Sequence, residues 1–176
     1  MLTVVSDTHS TDTHRLSGRT LDAVREADLV AHAGDFMREP VLDDFEREAD
    51  RLLGVSGNND DAGIRDRLPE ARTFTFAGLT FAMTHRQRGG STALALFGRQ
   101  RAADVVLFGH SHRPTYEPTD EVALVNPGSH AQPRGNRAAH AEFERREGGG
   151  VEGRLVTVDG EPFESFVVDG RGARGR

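Results

Sequence analysis

The sequence has no cysteine and no lysine. The first absence excludes a disulfide framework, a thiolate metal site and a cysteine nucleophile, so any metal must be held by oxygen and imidazole nitrogen. The second makes all 22 basic residues arginine, a bias that fits a GC-rich genome, a salt-adapted proteome or both. Aromatic residues are scarce at 6%, which leaves the core to Val, Leu, Ala and the ten Phe. No apolar run approaches the length needed to span a bilayer. Met1 leads straight into Leu2-Thr3-Val4-Val5, without a charged segment and apolar signal core, so the expected location is the cytoplasm. The net charge of −6 argues against broad contact with nucleic acid or an anionic membrane, though it leaves room for a local basic pocket.

What is present is about one domain of 176 residues, long enough to bury roughly 70% of its unfolded surface. Leu2–Val5 reads as a buried strand, Thr20–Ala27 as a helix, Asp28–Ala33 as a strand, Val41–Asp50 as a helix and Arg51–Ser56 as a strand. That rhythm predicts a parallel sheet with helices on its faces. It then breaks: Thr73–Phe76 and Leu79–Met83 flank Ala77-Gly78 as a hairpin, a helix is expected over 91–101, and Asp104–Phe108 reads as a strand. The remainder is expected to be β: 115–118, 122–125, 138–146, 153–159 and 162–168, with Gly148-Gly149-Gly150 a turn. Residues 1–170 form the expected domain and 171–176 an Arg- and Gly-rich flexible tail.

Five short stretches carry the chemistry, each placed just after an expected strand: Asp7-Thr8-His9, Gly34-Asp35, Gly57-Asn58-Asn59-Asp60, Thr84-His85 and Gly109-His110-Ser111-His112. They recur at intervals of roughly 25 residues, the length of a strand, a helix and their loops, so one edge of the fold receives a ligand group at each pass. Asp7, His9, Asp35, Asn58, His85, His110 and His112 offer carboxylate, amide and imidazole donors. A mixed nitrogen and oxygen set suits Mn²⁺, Fe²⁺, Zn²⁺, Ni²⁺ or Co²⁺ better than Ca²⁺. Each piece alone is ordinary turn chemistry; the whole series in this order is not. His14 and His140, in polar stretches, are expected to be solvated, and His32 to be either a packed core histidine or a support for the site.

The series resembles the calcineurin-like metallophosphoesterases, in particular their small single-domain phosphodiesterase branch of bacteria and archaea. The resemblance covers residues 1 to about 135 and includes Asn126-Pro127-Gly128-Ser129 followed by Pro133-Arg134. It implies an α/β fold, a four-layer α/β/β/α sandwich of two mixed β-sheets flanked by helices. It also implies two divalent cations, with Mn²⁺ the expected ion. Asp7, His9, Asp35 and His112 would hold one, and Asp35, Asn58, His85 and His110 the other, with Asp35 bridging. By the same resemblance Asp35, Asn58 and His85 are the catalytic set. The sequence departs from the wider family at Asn59, where many members have a histidine that protonates the leaving group, and at Arg86, where glycine is common. Asn59 and Arg86 are therefore candidate substrate contacts.

The implied reaction is hydrolysis of small phosphodiesters by a hydroxide bridging the two cations, favouring esters with acidic leaving groups because Asn59 offers no proton. His130 is a minor candidate for that proton. Nucleic acid is expected only as a small nucleotide substrate. The alternatives are a non-catalytic scaffold, as in a eukaryotic retromer subunit of this fold, a nuclease, or a phosphomonoesterase. The β-rich C-terminal third, with Phe143, Phe163 and Phe166, is a candidate face for a homo-oligomer, weighed evenly against core packing.

Overall fold

Leu2-Thr3-Val4-Val5 forms strand β1 (Leu2–Val5), buried at every position. Alternate side chains serve different layers: Leu2 and Val4 enter one apolar cluster and Val5 another. A strand covered on both faces needs apolar residues throughout, which is why this segment reads as a continuous apolar run. The computed structural model of the protein describes residues 1–170, so the tail expected at 171–176 lies outside the described residues.

After β1 come α1 (Gly18–Glu26), β2 (Leu29–His32), α2 (Glu39–Glu48) and β3 (Leu52–Gly54). β1, β2 and β3 pair in parallel. The two helices bury short apolar stripes, Ala23 and Val24 on α1 and Val41, Leu42 and Phe45 on α2. A third helix, α3 (Ala62–Arg67), was not expected. Six residues are too few to display a helical period, and its only sequence mark is Asp61, whose side chain caps the Ile64 N–H at 3.1 Å.

The second half begins with the hairpin β4 (Ala71–Phe76) and β5 (Leu79–Thr84). Ala77 and Gly78 both take positive φ, 52° and 79°, as a two-residue hairpin turn requires. Then follow α4 (Gly90–Arg99), β6 (Val105–Leu107), β7 (Thr115–Pro118), β8 (Ala123–Asn126), β9 (Ala139–Arg145), β10 (Val151–Thr157) and β11 (Pro162–Val168). One sheet runs β11-β10-β9-β1-β2-β3 and the other β4-β5-β6-β8-β7. Both are mixed: β1–β3 and β5/β6/β8 are parallel, while the β9–β11 meander and the outer strands β4 and β7 pair antiparallel.

Three apolar clusters define the layers. The largest lies between the sheets and joins Leu2, Leu29, Phe81, Leu107 and Phe143. A second joins the first sheet to α1, α2 and α3 through Val30, Phe45 and Ile64. A third joins the second sheet to α4 through Val106, Leu124 and Phe97. The result is the expected four-layer α/β/β/α sandwich. No described helix is long and apolar enough to cross a membrane.

Three expectations change. Phe143 and Phe166 are buried in the central cluster, with Phe163 packed against it, so these rings are core and not an oligomer face. His140 is fully buried and not solvated: it bridges Thr20 Oγ1 and Glu142 Oε1, each at 2.9 Å. Arg19 reaches the same Glu142 oxygen at 2.8 Å. Burial opposes the Glu142 charge, yet His140 and Arg19 outweigh it and hold the carboxyl at about 2. His14 is half-buried, its Nδ1 accepting from the Leu16 N–H.

The sheet-to-sheet contact turns on aromatic edges, with the Phe81 and Phe143 rings perpendicular at 5.5 Å. Truncating such a ring loses its transfer free energy and leaves a cavity. Phe143→Ala is therefore expected to cost about 3–5 kcal/mol, read as a lower urea midpoint with an unchanged slope.

Candidate metal centre

The chain reverses direction at the carboxyl ends of β1, β2, β3, β5 and β6, and each reversal carries a candidate ligand. Five of these residues take positive φ: Asp7 (56°), His9 (45°), Asp35 (62°), His110 (72°) and His112 (56°). Asp and His tolerate this region better than most side chains, but its clustering at one place marks strain held by the surrounding structure. Two glycines allow the loops to meet. A Cβ on Gly57 would lie 2.1 Å from Asp35 Oδ1, and one on Gly109 would lie 2.1 Å from Ser6 Oγ and 2.7 Å from Asp7 Oδ2.

The convergence brings donor atoms together. Asp7 and Asp35 are almost completely buried. Asp35 Oδ2 lies 3.1 Å from His9 Nε2 and 3.3 Å from His85 Nε2. Asp7 Oδ1 lies 3.4 Å from His112 Nε2, 3.7 Å from His9 Nε2 and 4.0 Å from His85 Nε2. Asp7, His9 and His112 form one group able to hold a cation, and Asp7, Asp35 and His85 another. Asp7 is common to both groups, and Asp35 Oδ2 lies between His9 and His85. Asn58 lies beside His85 at the cleft, with a buried Oδ1. His110 sits exposed at the rim, its ring perpendicular to that of His85 at 5.4 Å.

The side chains are oriented for coordination. His85 Nδ1 is hydrogen-bonded to the Ala33 carbonyl at 2.7 Å and His112 Nδ1 to the Gln132 carbonyl. Each bond fixes the tautomer and turns the Nε2 lone pair toward the carboxylates. Asp7 Oδ2 accepts from Ser6 Oγ at 2.7 Å and from the His110 N–H at 3.0 Å. Asp35 accepts from the Asn59 N–H and from Asn59 Nδ2, both at 2.8 Å. Yet His9 Nε2, His85 Nε2, His112 Nε2 and Asn58 Oδ1 are buried with no hydrogen-bond partner. Three imidazole nitrogens converging on two buried carboxylates, with the Asn58 oxygen left unpartnered beside His85, are costly in a protein alone and fit a bound divalent cation.

Electrostatics points the same way. Burial opposes charge on His9, but the Asp35 and Asp7 carboxylates outweigh it and raise its pKa to about 9. His85 is raised against its own burial by the same two carboxylates. Asp35 is held well below the carboxylate range despite burial, by His85 and His9. His110 is lowered by burial and by the nearby charges of His85 and Arg86, which places the Arg86 guanidinium close to the rim.

Several supports were not assigned from sequence. Buried Asp60 accepts from the N–H groups of Asp35 (3.1 Å), Met37 (2.7 Å) and Gly57 (2.7 Å), tying the two glycine loops together. Its signal was its place within the Gly57–Asp60 stretch. Asn126 Nδ2 donates to the Gly109 carbonyl at 2.9 Å, and Ser129 Oγ to the Asp7 carbonyl at 2.8 Å. The Asn126-Pro127-Gly128-Ser129 turn thus braces the Asp7 and His110 loops. His32 is both packed and supporting: it stacks on Phe36 at 3.5 Å, bonds Thr8 Oγ1 at 2.9 Å and accepts from the Gly34 N–H at 3.1 Å. His130 does not serve as the proton donor. It is buried, its Nε2 is bonded to the His14 carbonyl, and burial lowers it to about 4, so it is neutral at pH 7.

Two outcomes are expected. Asp60→Ala strands three buried N–H groups and should weaken divalent-metal affinity by about 10–100-fold, measured by calorimetry. Metal binding also needs a neutral His9, whereas metal-free protein keeps it protonated below about 9. Binding at pH 7.5 should therefore release protons, and Mn²⁺ affinity should rise with pH until about pH 9. Calorimetry in buffers of different ionisation enthalpy reads this directly.

The calcineurin-like phosphoesterase superfamily domain matches residues 1–145. A probable metallophosphoesterase of Methanothermobacter thermautotrophicus is 32% identical over 139 residues, 76% of this chain and 79% of that protein. Phosphodiesterase MJ0936 of Methanocaldococcus jannaschii is 25% identical over 136 residues, 71% of this chain and 81% of its own. A predicted phosphoesterase of Streptococcus pneumoniae superposes with a TM-score of 0.74 at 25% identity, over 94% of this chain and 96% of the other. The match spans most of the sequence, and the chain belongs to the calcineurin-like phosphoesterase superfamily.

Proposed function

We propose that the protein is a metal-dependent phosphodiesterase acting on small phosphodiesters. Asp7, His9, Asp35 and His112 would hold one divalent cation and Asp35, Asn58, His85 and His110 a second, with Mn²⁺ the expected ion. The observation that carries this reading is the convergence of the His9, His85 and His112 Nε2 atoms on the buried carboxylates of Asp7 and Asp35, with the Asn58 oxygen unpartnered beside His85. When bound, the cations would supply Lewis-acid stabilisation of charge on the phosphoryl oxygens and acidify a water.

The chain's own groups have narrower tasks. Asn59 holds Asp35 through two hydrogen bonds, and both release no proton to a substrate. Arg86 is exposed at the cleft beside His85 and can meet an anionic oxygen. His110 is lowered by burial and by the nearby charges of His85 and Arg86, which disfavours the charged form that would donate a proton. This is why diesters with acidic leaving groups are favoured. A diester, in preference to a monoester, is supported by the name of the Methanocaldococcus relative. The retention of every candidate donor argues for catalysis over a scaffold with a decayed centre.

The test is hydrolysis of bis-p-nitrophenyl phosphate by metal-stripped protein titrated with Mn²⁺, Ni²⁺, Zn²⁺ and Mg²⁺, beside Asp35→Asn. Metal-dependent turnover is expected, falling by about 100-fold or more in the variant. Folded wild-type protein inactive with every metal would sink the reading.

A further inference from the structure

Two of the candidate ligands, Asn58 and His85, line one end of a larger cleft. An open depression of about 710 Å³ runs from Asn58 and His85 to the face of α4. This is within the size range of small-molecule sites and far beyond the needs of one phosphate group. Three guanidiniums line it: Arg65 from α3, Arg86 from the loop after β5, and Arg101 just beyond α4. Glu70 supplies a carboxylate. None of the three arginines forms an ion pair among the described residues, whereas Arg67, next to the cleft on α3, meets Asp43 and Glu46 at 2.7 and 2.8 Å.

The far wall has a different chemistry. Arg101 lies over the Phe97 ring at 3.9 Å and donates to the Phe97 carbonyl at 3.2 Å. These contacts hold the guanidinium against the wall. Beside it, Leu96 is 49% exposed, one of only two large apolar side chains so exposed among the described residues. Gln87 and Gln100 add amide groups at the margin. A flat cation, an aliphatic face and edge-directed amides suit a planar ring with hydrogen-bonding edges, and arginine planes are a common stacking surface for nucleobases.

We infer that this cleft binds the phosphorylated-nucleoside half of a diester substrate. The inference rests on the phosphodiesterase reading and specifies its substrate class. A simple diester carries one negative charge, which the metal end can meet. Arg65, which donates to the Asn58 carbonyl at 3.0 Å, and Arg86 beside His85 have no ion-pair partner and can meet a second anion next to the scissile phosphate, and the wall at Arg101 and Leu96 calls for a base. Hydrolysis consumes one water, breaks one P–O bond and yields a phosphomonoester and an alcohol, leaving the second phosphate untouched. The substrate class is therefore a short nucleotide diester with an additional phosphate. A long strand is disfavoured by the net charge of −6.

The experiment compares thymidylyl-thymidine with the same dinucleotide bearing a 5′-phosphate, with bis-p-nitrophenyl phosphate as a separate monitor of the centre. The phosphorylated dinucleotide is expected to show kcat/KM about tenfold higher, expressed mainly in KM. Arg65→Gln and Arg101→Gln should bring the ratio toward one, whereas Arg72→Gln, away from this cleft, should not change it. Turnover of bis-p-nitrophenyl phosphate with equal rates on both dinucleotides overturns the inference and leaves the phosphodiesterase reading standing. Calorimetry on metal-free protein decides independently of turnover. Thymidine 5′-monophosphate should bind more tightly than thymidine or inorganic phosphate, and about tenfold more weakly to Arg101→Gln. Equal binding of inorganic phosphate and the nucleotide, or no binding of either, overturns the inference.

Discussion

Burying Asp7 and Asp35 side by side is the constraint on which the centre depends. Two carboxylates almost fully removed from water repel one another and need compensating charge and hydrogen bonds. The chain provides part of that compensation through Ser6, the His110 N–H and both donors of Asn59. Three imidazoles crowd the remaining oxygens, and in metal-free protein the carboxylates draw protons onto His9 and His85. The same geometry that makes the carboxylates costly makes them a strong cation site, so the strain and the function have one source.

The loops can hold this geometry because their supports are independent of the ligands themselves. Asp60 fixes the backbone of the Asp35 and Gly57 loops. The turn at Asn126–Ser129 fixes those of Asp7 and Gly109. His32 spans from Thr8 to Gly34. Both sheets contribute, since Asp7, Asp35 and Asn58 follow strands of one and His85, His110 and His112 follow strands of the other. The central apolar layer therefore sets the distance between the two halves of the centre.

The layered fold was legible because fully buried strands leave continuous apolar runs and each ends abruptly at a ligand stretch, as Leu2–Val5 does at Asp7. The candidate ligands were expected because the motif series is long; the structure brings Asp7, His9, Asp35, His85 and His112 within reach of one another, with Asn58 and His110 beside His85. The α3 helix escaped because it spans six residues and has no complete apolar stripe. His140 was misread for a related reason: a charged neighbour in sequence, Glu142, is its buried partner across one strand residue, and Arg19 and Thr20 arrive from more than a hundred positions away. Asp60 and Asn126 escaped assignment since backbone partners leave no trace in residue type.

The placement of β1 has a consequence for biosynthesis. This strand lies in the interior of its sheet, with β2 on one side and β9 on the other, Leu2 facing Leu29 and Phe143. The first partner is made soon after it, but the second comes only after all five ligand loops and the whole of the other sheet. Until then an apolar strand presents an open hydrogen-bonding edge to whatever else is nearby. Pairings so distant in sequence form slowly. The nascent protein therefore passes through a stage in which its ligand loops have been synthesised but their shared sheet is unfinished, and shielding that edge falls to chaperones or to speed of completion.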